Sequence, residues 1–147
     1  MRATYIQDVQ QWVAGFNFST EVQVRFSETD MYGHVNNTKV LTYFEYARIE
    51  YLKALGFQFN PASGSKNMLV VADIQCDYLK EAFFDEVLTV FVKTASIGTS
   101  SMDIHYLVKN AKGENCYTGR GTLVQLNSET GKGAPILEEQ KKILMEK

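Results

Sequence analysis

The sequence predicts an α+β domain in which one curved antiparallel sheet wraps a single long helix. Two observations carry this. Val40, Phe44, Ala47, Tyr51 and Leu55 recur at helical spacing, and Leu41, Ile49 and Leu52 add apolar surface beyond that stripe, so the helix calls for burial on most sides. One strand precedes the helix, and four stretches of alternating or β-branched residues follow it, joined by short turn signals, as in consecutive antiparallel strands.

In chain order, residues 1–20 give a thin signal. Ile6, Val9 and Val13 share a face of a short helix that Gly15 ends, and the segment reads as a variable extension. Val22, Val24 and Phe26 then alternate with Glu21, Gln23 and Arg25, the period of a strand with one buried face. Asn36 or Asn37 is suited to cap the long helix, and Gly56 to end it in a left-handed conformation. That gives about 19 residues and roughly 28 Å of helix. Residues 60–67 are rich in turn formers. In the second strand Val70, Ala72, Ile74, Cys76 and Tyr78 face one way, and Asp73, Gln75 and Asp77 the other. Residues 87–97 form a third strand, and Gly98 to Ser100 turn the chain into a fourth through Met102, Ile104, Tyr106 and Val108. Residues 110–113 turn it into a fifth, 114–126, where Gly119 and Gly121 imply a bend or a close backbone approach. Pro135 is suited to open a short tail helix ending at Leu144, charged on most sides and expected on the surface.

The 147 residues, 45% hydrophobic and 12% aromatic, suffice for one domain spanning 1–147 with its core at about 21–127. Fifteen basic residues against seventeen acidic ones, without a Lys/Arg cluster, argue against nucleic acid as a partner. Cys76 and Cys116 sit in apolar runs without CxxC or Cys/His spacing, so they read as small hydrophobes rather than zinc or redox groups. No stretch reaches the length of a membrane span, and the N-terminus lacks a secretory apolar core, so the expected setting is cytoplasmic. Phosphate loops, metal-ligand spacings and Gly-x-Ser-x-Gly elbows are all missing from the pattern, and no cofactor is expected.

The chemistry-bearing residues gather where the first strand meets the helix. Asp30, Gly33, His34, Asn36 and Asn37 converge with the unpaired N–H groups of the first helical turn, a place that favours developing negative charge. From the residues alone, Asp30 serves equally as a turn former and as a reactive carboxylate.

The segment VRFSETDMYGHVNNTKVLTYFEYARIEYLKALGF resembles the hot-dog-fold acyl-CoA thioesterases of the 4-hydroxybenzoyl-CoA thioesterase group. CDYLKEAFFDEVLTVFVKTASIGTSSMDIHYLV is similar to that family's following strands, so the resemblance covers about residues 21–127. Its most specific parts are the D-x-x-G-H-V-N-N loop and the E-x-A-R step at Glu45 to Arg48. It implies acyl-CoA as substrate, subunits joined sheet edge to sheet edge in a homodimer or homotetramer, and a site at the subunit interface. Asp30 then resembles the catalytic nucleophile or base, and a backbone N–H near Asn37 the oxyanion donor. His34 either polarises the acyl carbonyl, orients Asp30 or holds the loop by hydrogen bonds. Tyr32, Gly33 and Tyr43 are the substrate-binding candidates, although Tyr43, Phe44 and Tyr46 at helical spacing are core residues first. Glu45 is expected to be structural, paired with Arg48 or another partner, although some members of the family use a helix glutamate. His105 alternates outward on its strand with no expected role. Lys66, Lys93 and Arg120 are candidates to meet nucleotide phosphates.

Three alternatives stand beside acyl-CoA hydrolysis. The HVNN wording also resembles acyl-carrier-protein thioesterases, but those have an asparagine where this chain has Tyr32, and the plant-type enzymes carry two hot-dog repeats. Hot-dog hydratases and dehydratases share the fold with other Asp/His or His/Glu placements. The third alternative is a non-catalytic acyl-thioester-binding module.

Overall fold

The apolar stretch folds as expected into one long helix against one sheet. The computed structural model describes residues 3–57 and 66–145. In chain order these form α1 (Val9–Ala14), β1 (Phe18–Gln23), a 3-10 turn (Phe26–Glu28), α2 (Asn37–Ala54), β2 (Asn67–Tyr78), β3 (Val87–Ile97), β4 (Ser101–Lys109), β5 (Asn115–Asn127) and α3 (Glu138–Met145). The five strands make one antiparallel sheet in the order β1-β3-β4-β5-β2, the hot-dog architecture. Most of the turn-rich stretch at 60–67 lies outside the described residues.

The stripe Val40, Phe44, Ala47 and Tyr51 is buried against the sheet's inner face, where alternate residues of β3 and β4 (Val90, Val92, Ile104, Tyr106) point inward. The Phe44 ring stacks on Tyr106 at 4.5 Å between centroids, and the Tyr51 hydroxyl shares a 2.8 Å hydrogen bond with Thr94. Asn36 is the N-cap and Leu55 the C-cap, with Gly56 beyond it at φ +96°, where a side chain would be strained. Burial is not all-round: Glu45, Tyr46 and Ile49 are exposed, because the sheet covers only one side of the helix.

Three other expectations change. The first strand begins earlier and ends at Gln23, and Phe26 is 77% exposed, because the chain tightens into the 3-10 turn before the apolar alternation is complete. In β2 the anticipated buried face does not hold. A register shift between Val71 and Asp73 changes which side chains share a face, and β2 is an edge strand with Met68, Val71, Ile74 and Tyr78 exposed. The tail helix starts at Glu138 rather than Pro135, since Ala134 and Ile136 donate to the Gln125 and Thr99 carbonyls and keep that stretch extended along the sheet. It is also anchored rather than merely superficial, through fully buried Leu144.

The N-terminal segment covers the outer face of the sheet. Asp8 caps α1, and the one buried side chain of that helix is Trp12. The Trp12 indole donates to His105 Nδ1 at 2.8 Å, Tyr5 packs edge-on against the same imidazole at 4.9 Å, and Lys93 donates to the Trp12 carbonyl. His105 is therefore only 5% exposed rather than free on an outer face. Its Nε2 lies 3.0 Å from Asp103, which also binds Arg120.

Burial pushes the His105 pKa below its ordinary value, with Lys93 and Arg120 adding to the effect and Asp103 opposing it. Neutral His105 accepts from Trp12, whereas a protonated ring would set a donor against a donor. The unfolded chain takes up this proton below about pH 6.5. The stabilisation is thus complete above that value and is lost as the pH falls through the lower folded pKa. The thermal midpoint should fall on acidification from neutral pH, and more steeply than in His105→Gln; parallel pH profiles for the two proteins would contradict this assignment.

Burial raises the thiol pKa of Cys76 to about 11 and pushes Cys116 up as well, and both are free thiols. Among the described residues no helix is long and apolar enough to cross a membrane.

Candidate active site

Residues 28–37 fold into a tight loop because their own amides satisfy Asp30. Asp30 Oδ1 accepts from the amides of Tyr32 (2.8 Å) and His34 (3.2 Å), and the Asp30 amide donates to the His34 carbonyl at 2.7 Å. Gly33 turns the chain at φ +82° and donates to the Asp30 carbonyl, a conformation that excludes most side chains. Asp30 Oδ2 has no hydrogen-bond partner among the described residues. One carboxylate oxygen thus fixes the loop while the other remains available.

The helix start is held with similar economy. Asn36 Oδ1 accepts from the Thr38 amide at 3.0 Å, and the Asn36 carbonyl accepts from Lys39 at 2.8 Å. The Asn37 amide donates to no group among the described residues, which leaves a first-turn donor at the positive end of α2. Across from it the Tyr78 hydroxyl donates to the Asn37 carbonyl at 2.8 Å, joining the end of β2 to the helix.

Asp30, His34 and Asn37 line one open cleft of about 570 Å³, with Tyr78, Glu81 and Tyr117 among its other walls. The His34 imidazole does not reach the Asp30 carboxylate through any hydrogen bond in the structure. Its Nε2 lies 3.1 Å from Glu81, and its ring meets Phe83 edge-on at 5.0 Å, an arrangement that ties the loop to the segment leading into β3. Tyr32 and Gly33 are exposed in the loop beside the cleft but do not line it.

Of its two expected places, Tyr43 takes the core and not the cleft. It is 4% exposed and turned into the core, because its hydroxyl donates at 2.9 Å to Glu28, a buried carboxylate that needs partners. Glu28 Oε1 also accepts from the Arg25 amide at 2.9 Å, and Oε2 from the Arg25 guanidinium. Burial by itself raises the Glu28 pKa, but these donors outweigh it and hold the carboxyl below its ordinary value. Burial first, and then the Glu28 carboxylate, push the Tyr43 phenol well up.

The strand alternation gave Glu28 no place, and its available signal is the three-residue spacing from Arg25, which lets the Glu28 carboxylate reach back to the Arg25 amide and guanidinium. Glu81, Tyr78 and Tyr117 were also missed, since nothing local says that the ends of β2 and β5 close over the helix start. Glu45 is exposed and 3.9 Å from Arg48, which reaches inward to the Tyr106 hydroxyl. The three candidate phosphate-binding cations are engaged elsewhere: Lys66 with Glu129, Lys93 with Trp12, and Arg120 with Asp103 and Asp73. Lys80 lines the cleft and pairs with Glu114 at 2.9 Å. Among the described residues no group of three or more His, Cys, Asp or Glu is disposed to hold a metal ion.

Comparisons with known proteins bear on the family and the fold. The chain is 43% identical over 136 residues to the uncharacterized protein YsmA of Bacillus subtilis, covering 92% of this chain and 90% of that one. A thioesterase of Thermus thermophilus solved with coenzyme A and Zn is 34% identical, superposes with a TM-score of 0.78, and covers 90% of this chain and 94% of its own. The DHNA-CoA thioesterase of Staphylococcus aureus is 25% identical with a TM-score of 0.79, covering 87% of this chain and 88% of that chain. With the model of the thioesterase-like superfamily matching residues 24–144, this chain belongs to that superfamily.

Proposed function

We propose that the protein hydrolyses acyl-CoA thioesters to the free carboxylic acid and coenzyme A. The observation that carries this reading is that one cleft is lined both by Asp30, with a carboxylate oxygen unengaged among the described residues, and by Asn37, with a first-turn amide likewise unengaged. Asp30 Oδ2 either attacks the acyl carbon, giving a mixed anhydride that water then hydrolyses to the free acid, or takes a proton from the water that attacks in its place. A free carboxylate is a feeble base in water, so its usefulness rests on placement beside the acyl carbon. The charge that develops on the acyl oxygen is met by the Asn37 N–H, supported by the α2 dipole. The thiolate of coenzyme A departs as the acyl–sulfur bond breaks. Coenzyme A in the Thermus thermophilus relative supports the same ligand class here.

A spectrophotometric thiol-release screen over aliphatic and aromatic acyl-CoAs tests this. Turnover of at least one member is expected. No release above background with any of them, or hydration of an enoyl-CoA without release of thiol, would overturn the proposal.

The assembly that goes with this function is a homodimer, or a homotetramer built from it. Among the described residues β2 is an edge strand of the sheet, and its exposed Met68, Val71 and Ile74 favour pairing with a second copy. Light scattering at micromolar concentration should give at least twice the chain mass, and an active monomer would argue against it.

A further inference from the structure

We propose that Glu28 and Tyr43 form a positioning pair that sets Asp30 and the Asn37 amide in register with each other, an assignment that rests on the hydrolytic site just described. Glu28 is 7% exposed, and a buried carboxylate is costly unless its oxygens are occupied. Its occupants come from two elements. Arg25 belongs to the turn itself and its side chain is largely exposed, so that ion pair is screened by solvent. The Tyr43 hydroxyl comes from α2, two turns beyond the cap, and this bond is buried.

The main chain of the same residue makes the second connection. The Glu28 carbonyl accepts from the amide of Asn36 at 2.8 Å. Glu28 therefore grips α2 twice, through its side chain at Tyr43 and through its backbone at the cap. Asp30 follows it by two residues, and Asn37 follows the gripped Asn36 by one. The intervening strand-like bridge between Thr29 and Val35, with Val35 donating to the Ala82 carbonyl at 2.8 Å, closes the loop on the other side. The carboxylate and the oxyanion donor thus leave a common anchor by very short lengths of chain. Neither Glu28 nor Tyr43 lines the cleft, so the pair acts through the loop rather than on substrate. A tyrosine in this place, rather than an aliphatic core residue, is explained by the buried acceptor it serves.

The test uses the full chain and the acyl-CoA turned over best in the screen, with Tyr43→Phe, Glu28→Ala, Glu28→Gln and the double variant Glu28→Ala/Tyr43→Phe. Each is assayed well below its own thermal midpoint, and rates are expressed per folded molecule. Tyr43→Phe removes one hydroxyl from a position that remains apolar. It should lower kcat about 10-fold or more while KM stays within about twofold, the pattern of misplaced catalytic groups with intact binding. Glu28→Gln retains an acceptor for Tyr43 and for the Arg25 amide and should recover most of the activity lost in Glu28→Ala. The double variant should be no slower than Glu28→Ala alone, since both remove the same link. If Glu28→Ala does not fold, Tyr43→Phe and Glu28→Gln carry the test, together with the amide resonances of Tyr32, His34 and Asn37, which should shift in Tyr43→Phe.

Unchanged kcat per folded molecule with unmoved amide resonances in Tyr43→Phe would overturn the pairing, as would a change confined to KM. Failure of the underlying site has a different signature, since Asp30→Asn would then retain activity. In that case the positioning role falls with the site.

Discussion

Asp30→Asn is expected to lower kcat by at least ~10²-fold with KM little changed. The substitution is nearly silent for the fold. Asp30 Oδ1 accepts from the Tyr32 and His34 amides, and an asparagine Oδ1 accepts from the same two donors. What disappears is the anionic Oδ2, the oxygen with no partner in the loop. Binding depends on the cleft walls, which remain, so the loss should appear in the chemical step. His34→Ala should cost less, because its ring is spent on Glu81 and Phe83 and the backbone donors stay in place. Steady-state kinetics on the best acyl-CoA decide the matter. Near-normal kcat in Asp30→Asn together with an inactive Glu45→Gln would move the chemistry to the exposed helix glutamate.

The long helix and its packing stripe were legible because 3.6-residue periodicity is a local property, and the asparagine cap and Gly56 are local signals as well. The hairpin strands were legible for the same reason, down to the turn at 98–100, where the Gly98 amide donates to the Ser101 carbonyl. The loop could be singled out as a cluster, but not as a geometry. That Asp30 Oδ2 is unengaged depends on which amides the turn directs at Oδ1, and the spacing of D-x-x-G-H does not state it.

Side chains satisfied across long sequence separations were the ones misjudged. Tyr43 stood as a pocket candidate beside its core reading because helical spacing cannot reveal that Glu28, fifteen residues earlier, lies buried under it and takes its hydroxyl. His105 looked exposed because strand alternation describes two faces without saying that a distant N-terminal helix covers one of them. In β2, the bulge near Ala72 changes the facing of residues that period-two counting treats as continuous.

Gly119→Ala is expected to destabilise the protein by about 1–3 kcal/mol, lowering the thermal midpoint by several degrees. Gly119 lies on β5 beneath α2. A Cβ placed there would stand 2.4 Å from Phe44 Cε2 and 2.8 Å from the Gln75 carbonyl oxygen of β2. The second contact is with paired backbone, which cannot swing aside without breaking the β2–β5 ladder. The first demands that the Phe44 ring leave its stack on Tyr106, displacing the middle of the helix from the sheet. Trimming the ring relieves that clash, so Phe44→Leu should cost less in the Gly119→Ala background than in the wild type, a non-additivity readable by thermal or denaturant unfolding. A wild-type midpoint in Gly119→Ala would show that the sheet and helix have slack at this point. Because α2 also carries the Asn37 amide, the displaced helix should lower kcat in the folded variant as well. A destabilised Gly119→Ala with wild-type kcat per folded molecule would mean that the first turn of α2 is held by Tyr78 and Glu28 independently of how the helix middle packs.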